Sequence, residues 1–165
     1  MSYGYAITAN LLQMAQGYTI FTAGGKLMPA TIYKQTQTPK GTQVIKPETA
    51  KQMREMMVSI TRKGGTGQDG AVPGYDVAAK TGTARKASAG GYADKYRASF
   101  VGFAPAQNPR LIVAVSIDEP RGKGYYGGTV AGPAFREIMA GGLKKLGVKP
   151  TYVNAEPAAN VAKKR

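Results

Sequence analysis

The chain has 165 residues, with 23 Lys and Arg against nine Asp and Glu, for a formal net charge of +14. That length suits one domain rather than two, and a hydrophobic content of 42% is enough for a packed core. Cysteine and histidine are both absent, which excludes Ser-His-Asp and Cys-His nucleophiles and any zinc or iron site built on those residues. Lys, Ser, Thr and Tyr are left to carry any chemistry.

In chain order, the first predicted element is a helix from a Thr8 cap to about Ala23, stopped by Gly24-Gly25. Leu11, Leu12, Ala15, Tyr18 and Thr22 would form its inward face. Residues 26 to 45 hold β-prone pieces, "KLMPATIY" and "TQVI", which predict a small hairpin. Pro47 suits a helix first turn, and Glu48 behind it suits the positive end of the helix dipole. Ala50, Met53, Met57 and Ile60 would be the buried stripe of that helix. The methionines read as core filler. "KGGTGQDGAVPG" then forms a glycine-rich loop.

Three strands follow: Tyr75 to Thr83, Arg97 to Phe103 and Leu111 to Ile117. The second and third are joined by "APAQNPR", with a turn at Asn108-Pro109. "LIVAVSI" is nearly all apolar, so both its faces should be covered. Asp118-Glu119 reads as a strand exit. Pro133 opens a last helix with Phe135, Ile138, Met139, Leu143 and Leu146 inward, and Gly147 ends it. The pattern predicts an α+β fold with an antiparallel sheet and flanking helices, the last helix on one face. The aperiodic stretch from Lys149 to Arg165 reads as a disordered tail.

A basic chain attracts polyanions. Here the cations are scattered, with the densest groups at Lys144-Lys145, where a helix end favours them anyway, and at Lys163-Lys164-Arg165. No zinc-finger, RNA-recognition or KH motif is present, so nucleic acid is not an expected partner. An anionic cell-envelope polymer or membrane surface explains the charge equally well. No apolar run approaches the roughly 20 residues of a membrane span. No leader is visible at Met1, so no membrane anchor is expected in this chain.

"DVAAKTGTARK", residues 76–86, is the stretch with chemical content. "GYDVAAKT", Gly74 to Thr81, fits the phosphate-loop pattern G-x-x-x-x-G-K-[ST] except at Ala79, where glycine is needed for close approach to phosphate. A helix should follow, but Gly82 and "TARKASAGGY" make a poor one. As a strand, the segment places Thr81 and Thr83 on one face and Lys80 on the other. Two hydroxyls at i and i+2 can donate to one carboxylate, and Gly82 between them lets a ligand lie against the backbone. An edge strand can also pair with an extended peptide. On spacing alone, a carboxylate clamp and an ordinary polar strand end are equally good readings.

Together with "GFAPAQNPR", "AVSIDEP" and "GYYGG", "KTGT" resembles the C-terminal part of the transpeptidase domain of class B penicillin-binding proteins. The division-specific septal group (penicillin-binding protein 3) is nearest in pattern. The likeness runs from "SYGYAIT" to "KKLGV", residues 1–148, leaving 149–165 as the tail. K-T-G is one of the signatures of the wider penicillin-recognising group.

The resemblance implies a partial β-lactamase-like fold that lacks its upstream strands and nucleophile helix. It implies that Lys80, Thr81, Gly82 and Thr83 line a groove. The Thr81 and Thr83 hydroxyls would hold the carboxylate of a β-lactam or of a stem peptide ending in D-Ala-D-Ala. The Thr83 backbone N–H would supply half of an oxyanion hole. Lys80 would contribute charge and a proton path, and Arg85 would assist at the anionic end. Tyr96, Tyr125 and Tyr126 would form an aromatic wall. No metal or cofactor is implied. The parent protein would act at the periplasmic face of the bacterial inner membrane with divisome partners.

The chain departs from the family pattern in one respect. None of its serines, in "SYGY", "SITR", "SAGG", "SFVG" and "SIDE", has lysine at the fourth position or asparagine at the third. "TIYK", Thr31 to Lys34, lies in a β-prone stretch and does not start a helix. The nucleophile of S-x-x-K is therefore expected on other polypeptide, and this chain alone should be inactive. Loss of the neighbouring strands would leave "LIVAVSI" at an exposed edge, so that the isolated piece would form a homodimer through it, be held by another chain, or be poorly stable. The rivals are a serine β-lactamase or D,D-carboxypeptidase of the same fold, and a noncatalytic basic module binding the envelope or nucleic acid.

Overall fold

The computed structural model describes residues 8–88, 91–122 and 124–152. Helix α1 spans Leu11–Thr22, and a two-residue ladder joins β1 (Lys26–Leu27) to β2 (Thr42–Gln43). Helix α2 spans Pro47–Val58, followed by 3-10 turns at Ser59–Thr61 and Gln68–Gly70. Strands β3 (Ala78–Ser88), β4 (Gly91–Ala104) and β5 (Leu111–Asp118) precede helix α3 (Gly127–Lys145). The strands form one antiparallel sheet in the order β3-β4-β5. This is the α+β arrangement expected from the sequence.

The sheet is covered on both faces. Against one face, Phe135, Met139 and Leu143 of α3 are fully buried with Ala79, Phe100, Ala104 and Val113. Their spacing of four residues puts them on one helix stripe. Against the other face, Met57 and Val58 of α2 pack with Ala78, Phe103 and Ala106, joined by Tyr18 and Phe21 of α1. Tyr18 meets the Phe103 ring edge-on at 6.5 Å. Burial pushes the Tyr18 phenol up to about 12. Thus the apolar β5 is sandwiched, as its composition required.

Several expectations need correction. The α1 cap is Asn10, whose Oδ1 accepts from Gln13 N–H at 2.8 Å while Gln13 Oε1 accepts from Asn10 N–H at 2.9 Å. This reciprocal pair satisfies two donors, an arrangement Thr8 could not match with its spacing. The inward face of α1 is also only in part the expected one. Leu11 and Leu12 are 43% and 63% exposed; of the expected face Tyr18 does reach the core, joined there by Phe21, which was not expected. The hairpin over residues 26–45 shrinks to two pairs, Lys26↔Gln43 and Leu27↔Thr42. Pro29 and Pro39 cannot donate to a longer ladder, and "TIYK" is exposed loop.

Pro133 does not open α3 but lies inside it. The helix extends back to Gly127 because Gly127, Gly128, Ala131 and Gly132 are buried against the sheet and the glycine-rich loop. That burial outweighs a proline penalty of about 3 kcal/mol. Ile138 and Leu146, expected inward, sit off the Phe135–Met139–Leu143 stripe and are about half exposed.

The strand boundaries shift as well. β3 starts at Ala78, since the peptide groups before it are used elsewhere: Tyr75 N–H donates to Val72 O, and Asp76 O accepts from Ala106 N–H. β3 and β4 both run further into a long ribbon than the expected strands. The expected tail, Lys149 to Arg165, lies outside the described residues from Val153 onward. Within its described part, Thr151 N–H donates to Gly74 O at 2.8 Å.

Candidate functional site: the KTGT edge

β3 pairs with β4 on one side and has no strand on its other side among the described residues. Alternate backbone groups of "KTGT" are therefore turned away from the sheet. The register sets Ala79, Thr81, Thr83 and Arg85 opposite Gly102, Phe100, Ala98 and Tyr96. This set lies on the α3 face, as the burial of Ala79 and Phe100 in the α3 core requires. Lys80 alternates to the other face and is exposed; its Nζ donates to Thr81 O at 2.8 Å.

The start of α3 sits directly on this edge. Gly127 N–H donates to Thr83 Oγ1 at 3.0 Å. Thr83 thus serves as a cap from the sheet for one of the unpaired donors at the helix N-terminus, while its own hydroxyl proton is left to donate elsewhere. The approach is close because residue 127 is glycine. A Cβ there would lie 2.3 Å from Gly82 O and 2.4 Å from Ser99 O.

The glycine-rich loop closes the other side. The Phe100 ring packs against Gly70, where a Cβ would come within 2.3 Å of it. This seats the loop so that Thr66 Oγ1 lies 3.4 Å from Thr81 Oγ1. Three threonine hydroxyls, Thr66, Thr81 and Thr83, thereby line the mouth of the α3 N-terminus.

The tyrosines form a second group at the outer end of the edge. Tyr96 and Tyr125 stack with centroids 4.2 Å apart and planes 17° apart, and Tyr126 lies 4.5 Å from Tyr125. Arg85 lies over the Tyr96 ring at 5.8 Å and pairs with Asp94. The Tyr126 hydroxyl beside Tyr125 raises the Tyr125 phenol above its ordinary value.

On the opposite face, Lys86 Nζ binds Glu119 Oε1 at 2.7 Å and Asp118 Oδ2 at 2.9 Å. Lys95 reaches Glu119 at 3.1 Å, and Arg97 reaches Asp118 at 3.1 Å. Lys86 holds both carboxyls below their usual range, helped by Lys95 at Glu119 and by Arg97 at Asp118; in return Glu119 and Asp118 raise Lys86.

The structure thus gathers Thr81, Gly82, Thr83, Arg85, Tyr96, Tyr125 and Tyr126 along one edge, with Thr81, Thr83, Arg85 and Tyr96 on one face and Lys80 on the reverse. Sequence reading missed Thr66, which had no signal beyond its place among glycines. It also missed the tie between Asp118-Glu119 and the β3–β4 ribbon, which a strand-exit reading hides. A cavity of about 680 Å³ lies elsewhere, between Leu12 and residues 29–39. Its lining is largely apolar and has none of the hydroxyls or cations of the KTGT edge. Among the described residues, no group of acidic side chains could hold a metal ion, and no helix is long and apolar enough to cross a membrane.

K-T-G, here on a strand edge, is one of the sequence signatures of the penicillin-recognising class of proteins. Within that class, the chain belongs to the penicillin binding protein transpeptidase domain family, which matches over residues 1–140. It is 56% identical over 163 residues to "Probable peptidoglycan D,D-transpeptidase PenA" of Neisseria flavescens, covering 98% of this chain and 40% of the relative. It is 37% identical over 150 residues to "Peptidoglycan D,D-transpeptidase FtsI" of Escherichia coli, covering 90% of this chain and 26% of the relative. Among solved structures, the transpeptidase domain of Burkholderia pseudomallei penicillin-binding protein 3 superposes with a TM-score of 0.86 at 47% identity. That match covers 93% of this chain and 47% of the other. The chain therefore spans less than half the length of these relatives. The family is the one that "KTGT", "GFAPAQNPR", "AVSIDEP" and "GYYGG" pointed to.

Proposed function

We propose that this chain forms one wall of the active site of a serine-type peptidoglycan D,D-transpeptidase, and that the attacking serine belongs to polypeptide beyond these 165 residues. The observation that carries the reading is the Thr81–Gly82–Thr83 ridge on an unpaired strand edge. Both hydroxyls lie on the face where the α3 N-terminus sits.

A stem peptide ending in D-Ala-D-Ala would add to the free edge of β3 as a further strand. The Thr81 and Thr83 hydroxyls would donate to its terminal carboxylate. The positive end of α3 favours the same anion. The serine oxygen attacks the penultimate D-Ala carbonyl, and the Thr83 backbone N–H stabilises the developing oxyanion. The C–N bond then breaks, the serine proton ends on the departing D-Ala amine, and an ester remains. An amine of a neighbouring stem peptide attacks that ester, and the serine oxygen recovers a proton. Lys80 supplies fixed positive charge near these transfers. A β-lactam enters by the same first step, with its carboxylate on the same hydroxyls. Arg85 and the Tyr96–Tyr125–Tyr126 wall border the outer end of the groove. For the complete protein, this reading implies cross-linking during septum formation at the periplasmic face of the inner membrane, with divisome partners and no cofactor.

Labelling with a fluorescent penicillin tests the proposal. The complete protein should be labelled covalently and the 165-residue chain should not. Covalent labelling of the isolated chain would overturn the placement of the nucleophile. Exchange of a labelled D-amino acid into a model stem peptide, against release of the free acid, separates the transferase from a β-lactamase or carboxypeptidase.

A further inference from the structure

Glu119 has a φ of +48°, the sole positive value at a non-glycine position among the described residues. Glycine would take this backbone conformation without steric cost, so a glutamate here needs a reason in its side chain. The carboxylate supplies one. Oε1 accepts from Lys86 Nζ at 2.7 Å, and Oε2 accepts from Lys95 Nζ at 3.1 Å. Lys86 lies on β3 at the point where its register with β4 shifts, between Arg85 and Ala87, and Lys95 lies on β4. Glu119 N–H also donates to Tyr96 O at 2.9 Å. One residue just past β5 thus ties together β3, β4 and the connection that leads to α3.

Each tie lands beside a residue of the outer groove. Lys86 follows Arg85, Lys95 precedes Tyr96, and the connection leaving Glu119 delivers Tyr125 onto the Tyr96 ring at 4.2 Å. We infer that Glu119 is a positioning residue: its carboxylate clamps the β3–β4 ribbon to the β5–α3 connection and so holds the Tyr96–Tyr125 stack that borders the groove. The inference rests on the proposed binding role of that groove. It assigns Glu119 no contact with substrate. The outer edge of the groove is set by charges on the opposite face of the ribbon, where Asp118 and Arg97 share the same cluster.

The test uses the complete protein with tyrosine rings isotopically labelled. Two readouts are taken: magnetisation transfer between the Tyr96 and Tyr125 rings, and the second-order rate of acylation by a labelled penicillin. Glu119→Gly keeps the backbone turn and removes the carboxylate, and Lys95→Ala removes one arm alone. Glu119→Gly should weaken the ring-to-ring signal and slow acylation on the order of three- to tenfold, with Lys95→Ala intermediate. Raising the salt concentration should slow the unsubstituted protein toward the Glu119→Gly rate while leaving Glu119→Gly nearly unmoved. A purely structural glutamate would not give that pattern. Full retention of the ring signal in Glu119→Gly would overturn the inference. Loss of the ring signal with acylation unchanged, both in Glu119→Gly and in Tyr125→Ala, would leave the clamp standing and remove the role given to the tyrosines.

Discussion

Thr83 has two partners to satisfy. Its oxygen accepts from Gly127 N–H, and its proton is available to a ligand. Thr83→Val should therefore lose about 1 kcal/mol of stability for the orphaned helix donor, read as a lower midpoint in urea. The complete protein should also lose acylation by carboxylate-bearing β-lactams. Thr83→Ser should restore both, and failure of serine to do so would remove the hydroxyl from the account.

The acidic pair beside the ribbon gives a pH signature. Lys86 holds Asp118 and Glu119 below the ordinary carboxylate values of about 4. Groups lowered on folding add stability that is present above the unfolded value and lost as pH falls through the folded one. Melting temperature should accordingly decline on acidification below about pH 4. The part of the decline due to this pair should vanish in the Asp118→Asn, Glu119→Gln protein. At this scale the sequence was readable where side-chain alternation alone fixes direction, as for Lys80 against Thr81 and Thr83. It was unreadable where contact joins distant segments: Thr66 meets Thr81, and Glu119 meets Lys86 and Lys95, only after the chain has folded.

The strands could be located at the scale of elements because their cores are β-prone runs and the second and third are separated by a short turn-forming link. Their ends could not, since β3 and β4 continue into a ribbon stitched by charged side chains that look like loop. Helix α3 shows a different limit. Proline marks a helix start by local rules, but Gly127, Gly128 and Ala131 are held by packing against the sheet and the glycine-rich loop, which local rules cannot register. Pro133→Ala restores a donor to the helix interior and should raise stability by about 1–3 kcal/mol, read by denaturant melting. Gly70→Ala should do the reverse. Its methyl would press on the Phe100 ring at 2.3 Å, and overpacking of that kind costs about 1–3 kcal/mol.

For the whole molecule, the central fact is a three-stranded sheet with helices on both faces and two unpaired edges among the described residues. One edge carries the KTGT ridge. The other is β5, an apolar strand whose outer N–H and C=O groups have no strand partner there. Such an edge is a template for pairing. The 165-residue chain alone should self-associate at micromolar concentration, read by sedimentation, and charged or proline substitutions on β5 should suppress it. A monomer that melts cooperatively with that edge in water would count against this. The layer order could be read from the sequence, since one apolar strand demands two covers. That α1 and α2 supply the second cover through Tyr18, Phe21, Met57 and Val58 depended on which side of each helix met the sheet.

At the seam between Gly127 and Gly82, main chain rests on main chain with room for hydrogen only. The helix onset and the hydroxyl ridge consequently travel as a single stiff part. On the proposed reading of the groove, a ligand that shifts the strand would carry the first turn of α3 with it, and adaptation to bulky ligands would fall to the tyrosines and the ribbon beyond.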